Sequence, residues 1–125
     1  MSYSLRSGSN EFHGEPYEYR KGDVVYAGLP RIIPERLLSR FIDLFRCVSF
    51  VEEAHFGQIF APSKREPPHL IVVVKLERGY DDKFAELNSS MGLIVQEVLP
   101  KGQWLEIMFN ETPFDGLKLF YHKGP

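Results

Sequence analysis

Two windows of the sequence repeat their apolar residues at the spacing of an amphipathic helix. The first covers about 34–46 and opens at Pro34, whose missing N–H suits the first turn of a helix. The second follows Asp81 and Asp82, whose carboxylates favour a helix start. Gly92 interrupts the second window, so we expect either a closely packed neighbour there or a locally weak helix. The apolar positions of the two windows are Leu37, Leu38, Phe41, Ile42, Leu44 and Phe45, and then Phe84, Leu87, Met91, Ile94, Val95 and Val98.

The rest of the pattern is typical of β-strands, with alternating or continuous apolar runs between glycine, proline and polar residues. The run from Leu70 to Val74 is unbroken and rich in β-branched residues, as in a central strand. His69 stands directly before this run and after Pro67 and Pro68. We interpret His69 as the opening residue of the strand, hydrogen-bonded at the sheet end, and only secondarily as a site residue. The predicted strands cover residues 23–27, 50–60, 70–76, 103–109 and 117–121.

The order of these elements predicts an α+β fold. The chain reads β-α-β-β-α-β followed by a C-terminal strand, and two helices of this length cover one face of a mostly antiparallel sheet. The order also fits a split βαβ arrangement of the ferredoxin-like kind. Residues 1–20 are rich in Ser, Gly, Glu and Tyr without a sustained period, which predicts a flexible or docked N-terminal arm. Residues 21–125 are then expected to form a single domain.

Composition and charge narrow the class of protein. A net charge of -2, from 15 basic and 17 acidic residues, lacks the basic excess typical of nucleic-acid-binding domains. The longest apolar run is far too short to span a membrane, and the N-terminus has no apolar segment typical of a secretory signal. Cys47 is the sole cysteine, which excludes an intrachain disulfide and a thiolate metal cluster. We therefore expect a soluble cytoplasmic protein without nucleic-acid or membrane partners.

Motifs for catalysis, cofactors and metals are absent from the sequence. Neither glycine-rich phosphate-binding pattern is present, and the G-x-S-x-G nucleophile motif is missing. The four histidines are His13, His55, His69 and His122. They are far apart in sequence and form no H-E-x-x-H pair, so no metal site is predicted. Glu52 and Glu53 are consecutive on a predicted strand and are expected to point to opposite faces, which argues against a catalytic carboxylate pair.

The chain carries more aromatic side chains than a core of this size easily buries, with ten Phe, six Tyr and one Trp. Aromatic side chains left at a surface commonly anchor protein interfaces. The alternative is that the two terminal segments simply cover the open face of the sheet. The candidate partner-binding residues are Tyr17, Tyr19, Glu52, Glu53, His55, Trp104, Phe114 and Tyr121.

Several short motifs resemble those of one protein family. They are G-L-P at residues 28–30, a helix-opening Pro34, V-E-E-A-H-F at residues 51–56, P-H-L-I-V at residues 68–72, and Phe120-Tyr121. This pattern resembles the C-terminal domain of enhanced-serine-sensitivity (SseB) proteins over about residues 22–122. The family's terminal Phe-Tyr is usually preceded by proline, whereas Leu119 stands here. Members usually carry this domain after a separate N-terminal domain, so a stand-alone version is expected here.

The resemblance implies an α+β domain and supplies no catalytic residues, so three functions stay open. The first is a non-enzymatic protein-binding domain, most sharply an immunity-type inhibitor that binds and blocks a cognate secreted bacterial toxin. The second is a small-ligand sensor or adaptor domain. The third is an enzyme with a cryptic site built from Glu53, His55 and His69.

Overall fold

A computed structural model describes residues 15–18, 24–62, 67–113 and 115–124, which form one sheet and two helices. The elements in chain order are β1 (Glu15–Glu18), β2 (Val24–Gly28), α1 (Glu35–Val48), β3 (Val51–Phe60), β4 (His69–Leu76), a 3-10 turn (Asp81–Lys83), α2 (Phe84–Val98), β5 (Leu105–Phe109) and β6 (Lys118–His122). Both predicted helices and all the predicted strands are confirmed, with small shifts at their ends. Strand β1 lies within the segment predicted to be an arm, where the sequence pattern predicted no strand.

The six strands form a single mixed sheet in the order β1-β2-β3-β4-β5, and β6 pairs with β3. Every neighbouring pair is antiparallel except β4 and β5, which are parallel. The parallel pair arises because α2 connects β4 to β5 and carries the chain back to the end at which β4 began. The predicted α+β class, with helices on one face of a mostly antiparallel sheet, is confirmed. The split βαβ arrangement is wrong, because the strands linked by a helix are immediate neighbours, β2 beside β3 and β4 beside β5, with no strand between them.

Strand β3 pairs with two different strands along one of its edges. Its C-terminal half pairs with β2, from Gln58 to Phe60, and its N-terminal half pairs with β6. The two partners meet beside Gly57 and Gly116, where the backbones approach too closely for a side chain. A Cβ on Gly116 would lie 2.4 Å from the carbonyl oxygen of Ala27, and one on Gly57 would lie 2.7 Å from that of Gly28. Glycine at both positions therefore lets β2 and β6 share the edge.

The main core lies between the helices and one face of the sheet. Alternate residues of β4 face the helices, so Val72 and Val74 are fully buried there. The rings of Phe41 and Phe45 in α1 stack with their centroids 6.1 Å apart. The remaining buried members of this core are Leu37, Val51, Ala54, Phe56, Leu76, Leu87, Met91 and Ile94. An ion pair between Arg40 and Glu97 links the exposed sides of the two helices.

A second buried cluster lies on the opposite face of the sheet, which we call the outer face. Its buried members are Val25, Ala27, Ile59, Ala61, Ile71, Val73 and Leu117, with Met108 partly buried against them. Leu117 lies over Gly57, because its Cδ2 atom would lie 2.3 Å from a Cβ at that glycine. The strands of this sheet are therefore buried on both faces in the middle, which explains the unbroken apolar run in β4.

Asn110 joins the ends of β4 and β5 to the start of the second helical segment. Its Oδ1 accepts a hydrogen bond of 2.9 Å from the Leu76 N–H, and its Nδ2 donates one of 3.2 Å to Asp81. The residue has a positive φ of 58°, a conformation that asparagine tolerates better than most residues. The predicted helix start at Asp81 is therefore a 3-10 turn held by Asn110, and α2 itself begins at Phe84.

Two glycine substitutions with opposite expected effects test this packing. A Cβ at Gly92 would meet no atom within 4 Å, so Gly92→Ala should raise the free energy of unfolding by about 1 kcal/mol through helix propensity. Gly116→Ala should lower it by about 1–3 kcal/mol, because the added methyl collides with the Ala27 carbonyl. Urea unfolding followed by circular dichroism measures both. Equal effects of the two substitutions would contradict the shared edge of β3.

Candidate functional site at the start of strands β4 and β5

The parallel pairing of β4 and β5 brings the starts of both strands to one end of the sheet. Leu70 is in register with Leu105, so His69 and Trp104 occupy matching positions one residue earlier. Both residues lie on the outer face, because their neighbours Leu70 and Leu105 pack toward the helices. Glu106, the next outer-face residue of β5, follows Trp104 by two positions. We call His69, Trp104 and Glu106 the His69 cluster.

His69 is the only buried polar side chain among the residues whose burial the structure describes, at 3% exposure. Its Nδ1 lies 3.1 Å from the carbonyl oxygen of Pro67, and its Nε2 lies 2.9 Å from Oε1 of Glu106. The carbonyl can only accept, so Nδ1–H must donate to it. Nε2 makes the second hydrogen bond of the ring, with Oε1 of Glu106. Both ring nitrogens are thus bonded, as burial requires.

Trp104 covers the buried histidine and still faces solvent. Its ring stacks on that of His69, with centroids 4.0 Å apart and an angle of 20° between the planes. The tryptophan is 43% exposed, so one part of the indole packs on His69 and another is accessible to a partner. Because His69 is fixed by two hydrogen bonds, the stack holds Trp104 in one orientation. Such aromatic pairs contribute about 0.5–1.5 kcal/mol beyond the area that they bury.

The geometry answers the question about His69 that the sequence left open. His69 is the first residue of β4, and its side chain is buried and hydrogen-bonded at the end of the sheet, as we interpreted from the sequence. Its contribution to a site is indirect, because the exposed group is the tryptophan that stacks on it.

Three of the predicted partner-binding residues lie together at the other end of β3. Oε2 of Glu53 is 3.9 Å from Nδ1 of His55, and both side chains are partly exposed. Glu52 lies 3.6 Å from Nζ of Lys75, the residue that pairs with Glu53 across the sheet. The pairing of β3 with β4 shifts register between Val51 and Glu53. The simple alternation that predicted opposite faces for the two glutamates is therefore interrupted at this point.

The structure does not bring His55 and His69 together. His55 pairs with Val73, which is four residues from His69 along β4, a separation of about 13 Å. The three residues of the cryptic catalytic site considered from the sequence, Glu53, His55 and His69, therefore do not come together in this fold. Among the described residues, no group of three His, Cys, Asp or Glu side chains is placed to hold a metal ion.

The remaining predicted residues have different positions. Tyr121 is only partly exposed, and its ring packs 5.3 Å from that of Phe45, so it belongs to the edge of the main core. Tyr17 pairs with Val25 in the backbone ladder between β1 and β2. Tyr19 and Phe114 lie outside the described residues.

Glu106 is the residue of the cluster that sequence reasoning missed. It is the single charged residue of β5, L-E-I-M-F, and the sequence pattern assigned it no role in a site. Its role depends on the parallel register that places it beside His69. One isolated charge within an otherwise apolar strand was the available signal.

Comparisons with known proteins identify the family. The model of the SseB protein C-terminal domain matches residues 19–122, which is most of the chain. The chain therefore belongs to the SseB C-terminal domain family, as the sequence motifs indicated. Comparisons with curated proteins and with solved structures gave no match. No helix in the described part of the chain is both long and apolar enough to cross a membrane.

Two substitutions of Glu106 separate hydrogen bonding from charge at this cluster. Glu106→Gln keeps a side-chain amide that donates to a neutral His69 ring, whereas Glu106→Leu leaves a buried ring nitrogen without that partner. We expect Glu106→Leu to lower the free energy of unfolding by about 1–3 kcal/mol and Glu106→Gln to cost less.

Chemical denaturation gives the stability difference, and the emission of Trp104, the sole tryptophan, reports its exposure. A red-shifted emission in the leucine variant but not in the glutamine variant is expected, because only the former loosens the stack. Identical stability of the two variants would contradict the bonding of His69.

Proposed function

We propose that this domain is a non-enzymatic protein-binding domain and that Trp104 is an anchor of its binding surface. The proposal is carried by one observation: a partly exposed tryptophan is held in place by stacking on a buried, doubly hydrogen-bonded histidine. Tryptophan is among the residues most enriched at binding hot spots, because its large ring buries much apolar area.

The way in which Trp104 is held supports an anchor more than an accidental exposure. Association costs free energy when side chains must be ordered, and a side chain that is already fixed avoids much of this cost. Trp104 is fixed on one side by His69, which is itself fixed by Pro67 and Glu106. The buried part of the cluster thus preorganises the exposed part.

The sharpest form of the proposal is an immunity-type inhibitor that binds a secreted bacterial toxin in the cytoplasm and blocks it. Membership of the SseB C-terminal domain family is compatible with this role and does not name a partner. The sequence carries no recognisable catalytic motif, which favours binding over catalysis. The fixed tryptophan supplies a surface on which a toxin can bind. Glu53 and His55 form a second, partly exposed group on the same face of the sheet, to which the same partner can extend.

Substitution of Trp104 tests the proposal. The chain is coexpressed with each candidate toxin domain found in the neighbouring genes, and survival and the dissociation constant are measured. Trp104→Ala should weaken binding by about thirty-fold or more, as expected for a hot-spot residue, and should reduce protection.

Leu93→Ala is the matched control, because Leu93 is an apolar residue of α2 that is 65% exposed and lies outside the cluster. It should leave binding and survival unchanged. Circular dichroism confirms that both variants fold. An affinity that is the same for the Trp104 and Leu93 variants would remove Trp104 from the binding surface, and absence of binding by the unaltered chain would contradict the immunity role.

A further inference from the structure

Strand β5 forms one end of the sheet and has an open edge. It pairs with β4 on one side, and none of the described residues pairs with its other side. Alternate backbone N–H and C=O groups of Leu105–Phe109 therefore point away from the sheet on this edge. Such an edge is a template for another strand.

Proteins normally protect an open edge with lysine, proline, β-bulges or inward-pointing charges. Strand β5 has one of these features, the partly buried Glu106, which is bonded to His69. The strand has no lysine or proline, and its pairing with β4 runs without a register shift from Leu70 to Val74. Strand β1, at the opposite end of the sheet, has the sequence E-P-Y-E, with one proline and two glutamates among its four residues. The two ends of the sheet are thus built differently.

The surface along β5 is apolar on the helix side of the sheet. All five residues of the strand are partly exposed, and four of them are apolar. Phe84, at the start of α2, is 51% exposed and packs against Phe109 with ring centroids 5.9 Å apart. The open backbone edge is therefore bordered by apolar side chains that a neighbouring strand would cover.

We propose that β5 of a second copy of this chain pairs with β5 in the antiparallel direction. A twofold axis through Ile107 relates the two copies, and their two sheets become one continuous sheet. An isologous contact of this kind requires a surface that is complementary to itself. The sequence L-E-I-M-F meets this requirement, because the twofold axis places Leu105 opposite Phe109 of the second copy, and Ile107 opposite Ile107 of the second copy. On the outer face, Glu106 lies opposite Met108 of the second copy.

Charge and length select this register among the alternatives. A shift of one residue in the pairing would set helix-side residues against outer-face residues and put the helices of the two copies on opposite sides. An axis through Glu106 would place two glutamates directly opposite each other, which is destabilising. An axis through Met108 would leave Leu105 and Glu106 beyond the end of the paired strand, since the positive φ of Asn110 ends β5. The axis through Ile107 pairs all five residues.

The pairing is separate from the proposed partner binding and leaves its surface accessible. A twofold axis perpendicular to the sheet keeps the outer faces of both copies on one side. Trp104 of each copy lies three residues from the axis, so the two tryptophans are about 20 Å apart along the strands. The dimer would present two identical anchors side by side.

Cysteine cross-linking tests the proposed register. Cys47 is exposed, so it is first replaced by Ser. Ile107→Cys then places two thiols directly opposite each other, at a Cα separation of about 4.5–5.5 Å that a disulfide can span. Leu105→Cys is the matched control on the same strand and face, because its two copies lie about 13 Å apart across the axis.

Sedimentation equilibrium of the unaltered chain should give a mass of about twice the 14.5 kDa of one copy. Ile107→Cys should form a disulfide-linked dimer under mild oxidation, and Leu105→Cys should not. A chain that sediments as a monomer up to millimolar concentration overturns the proposal, and so does equal cross-linking of the two variants.

Opposite charges at Met108 give an independent measurement that does not require oxidation. Met108→Glu places a glutamate of each copy opposite Glu106 of the other copy, and this repulsion should raise the dimer dissociation constant about tenfold. Met108→Lys places a lysine opposite each Glu106 and should not raise the dissociation constant. Both substitutions place a charge at the same partly buried position. Because Glu106 of the same copy also lies on this face, the free energy of unfolding of each variant is measured beside the dissociation constant. A dissociation constant that is the same in both variants overturns the proposed pairing.

Discussion

The edge of β3 that is shared by β2 and β6 is the constraint on which the rest of the structure depends. A ten-residue strand can hold two short strands end to end only if the chain turns away between them without a side chain in the gap. Gly57 and Gly116 provide this gap, and Leu117 fills the space above it. The other edge of β3 is then left for β4 alone, and β4 in turn positions β5 and the His69 cluster.

The His69 cluster shows how a buried polar group can support an exposed apolar one. Burial of an imidazole is costly unless both nitrogens are bonded, and Pro67 and Glu106 supply the two bonds. The ring is then a flat, fixed surface on which Trp104 stacks. Burying the polar side chain of His69 costs free energy, but its fixed ring holds Trp104 in one orientation. An apolar neighbour with several rotamers would not hold the tryptophan in this way.

Much of the fold could be predicted from residue patterns, because the apolar stripes of α1 and α2 and the run in β4 are local signals. Strand β1 was not predicted, since Glu15-Pro16-Tyr17-Glu18 has no apolar alternation and becomes a strand only by pairing with β2. The insertion of β6 beside β3 depends on contacts between distant segments. The same is true of Glu106, whose partner is set by the parallel register of β4 and β5. Conversely, Trp104 was predicted to bind a partner from its residue type alone, because the sequence pattern does not show that it stacks on His69.

The placement of β6 also has a consequence for the order in which the protein folds during synthesis. The N-terminal half of β3 cannot pair with β6 until β4, α2 and β5 have all left the ribosome, because β6 follows them in the chain. Lys123 then closes the structure, with its Nζ 2.7 Å from the carbonyl oxygen of Ser49 and 2.7 Å from Glu77. Contacts between segments so distant in sequence slow folding, because the entropy of loop closure is lost before the contacts form. A nascent chain halted before residue 118 would therefore expose an unpaired stretch of its central strand, and such unpaired edges make an incomplete chain prone to aggregation.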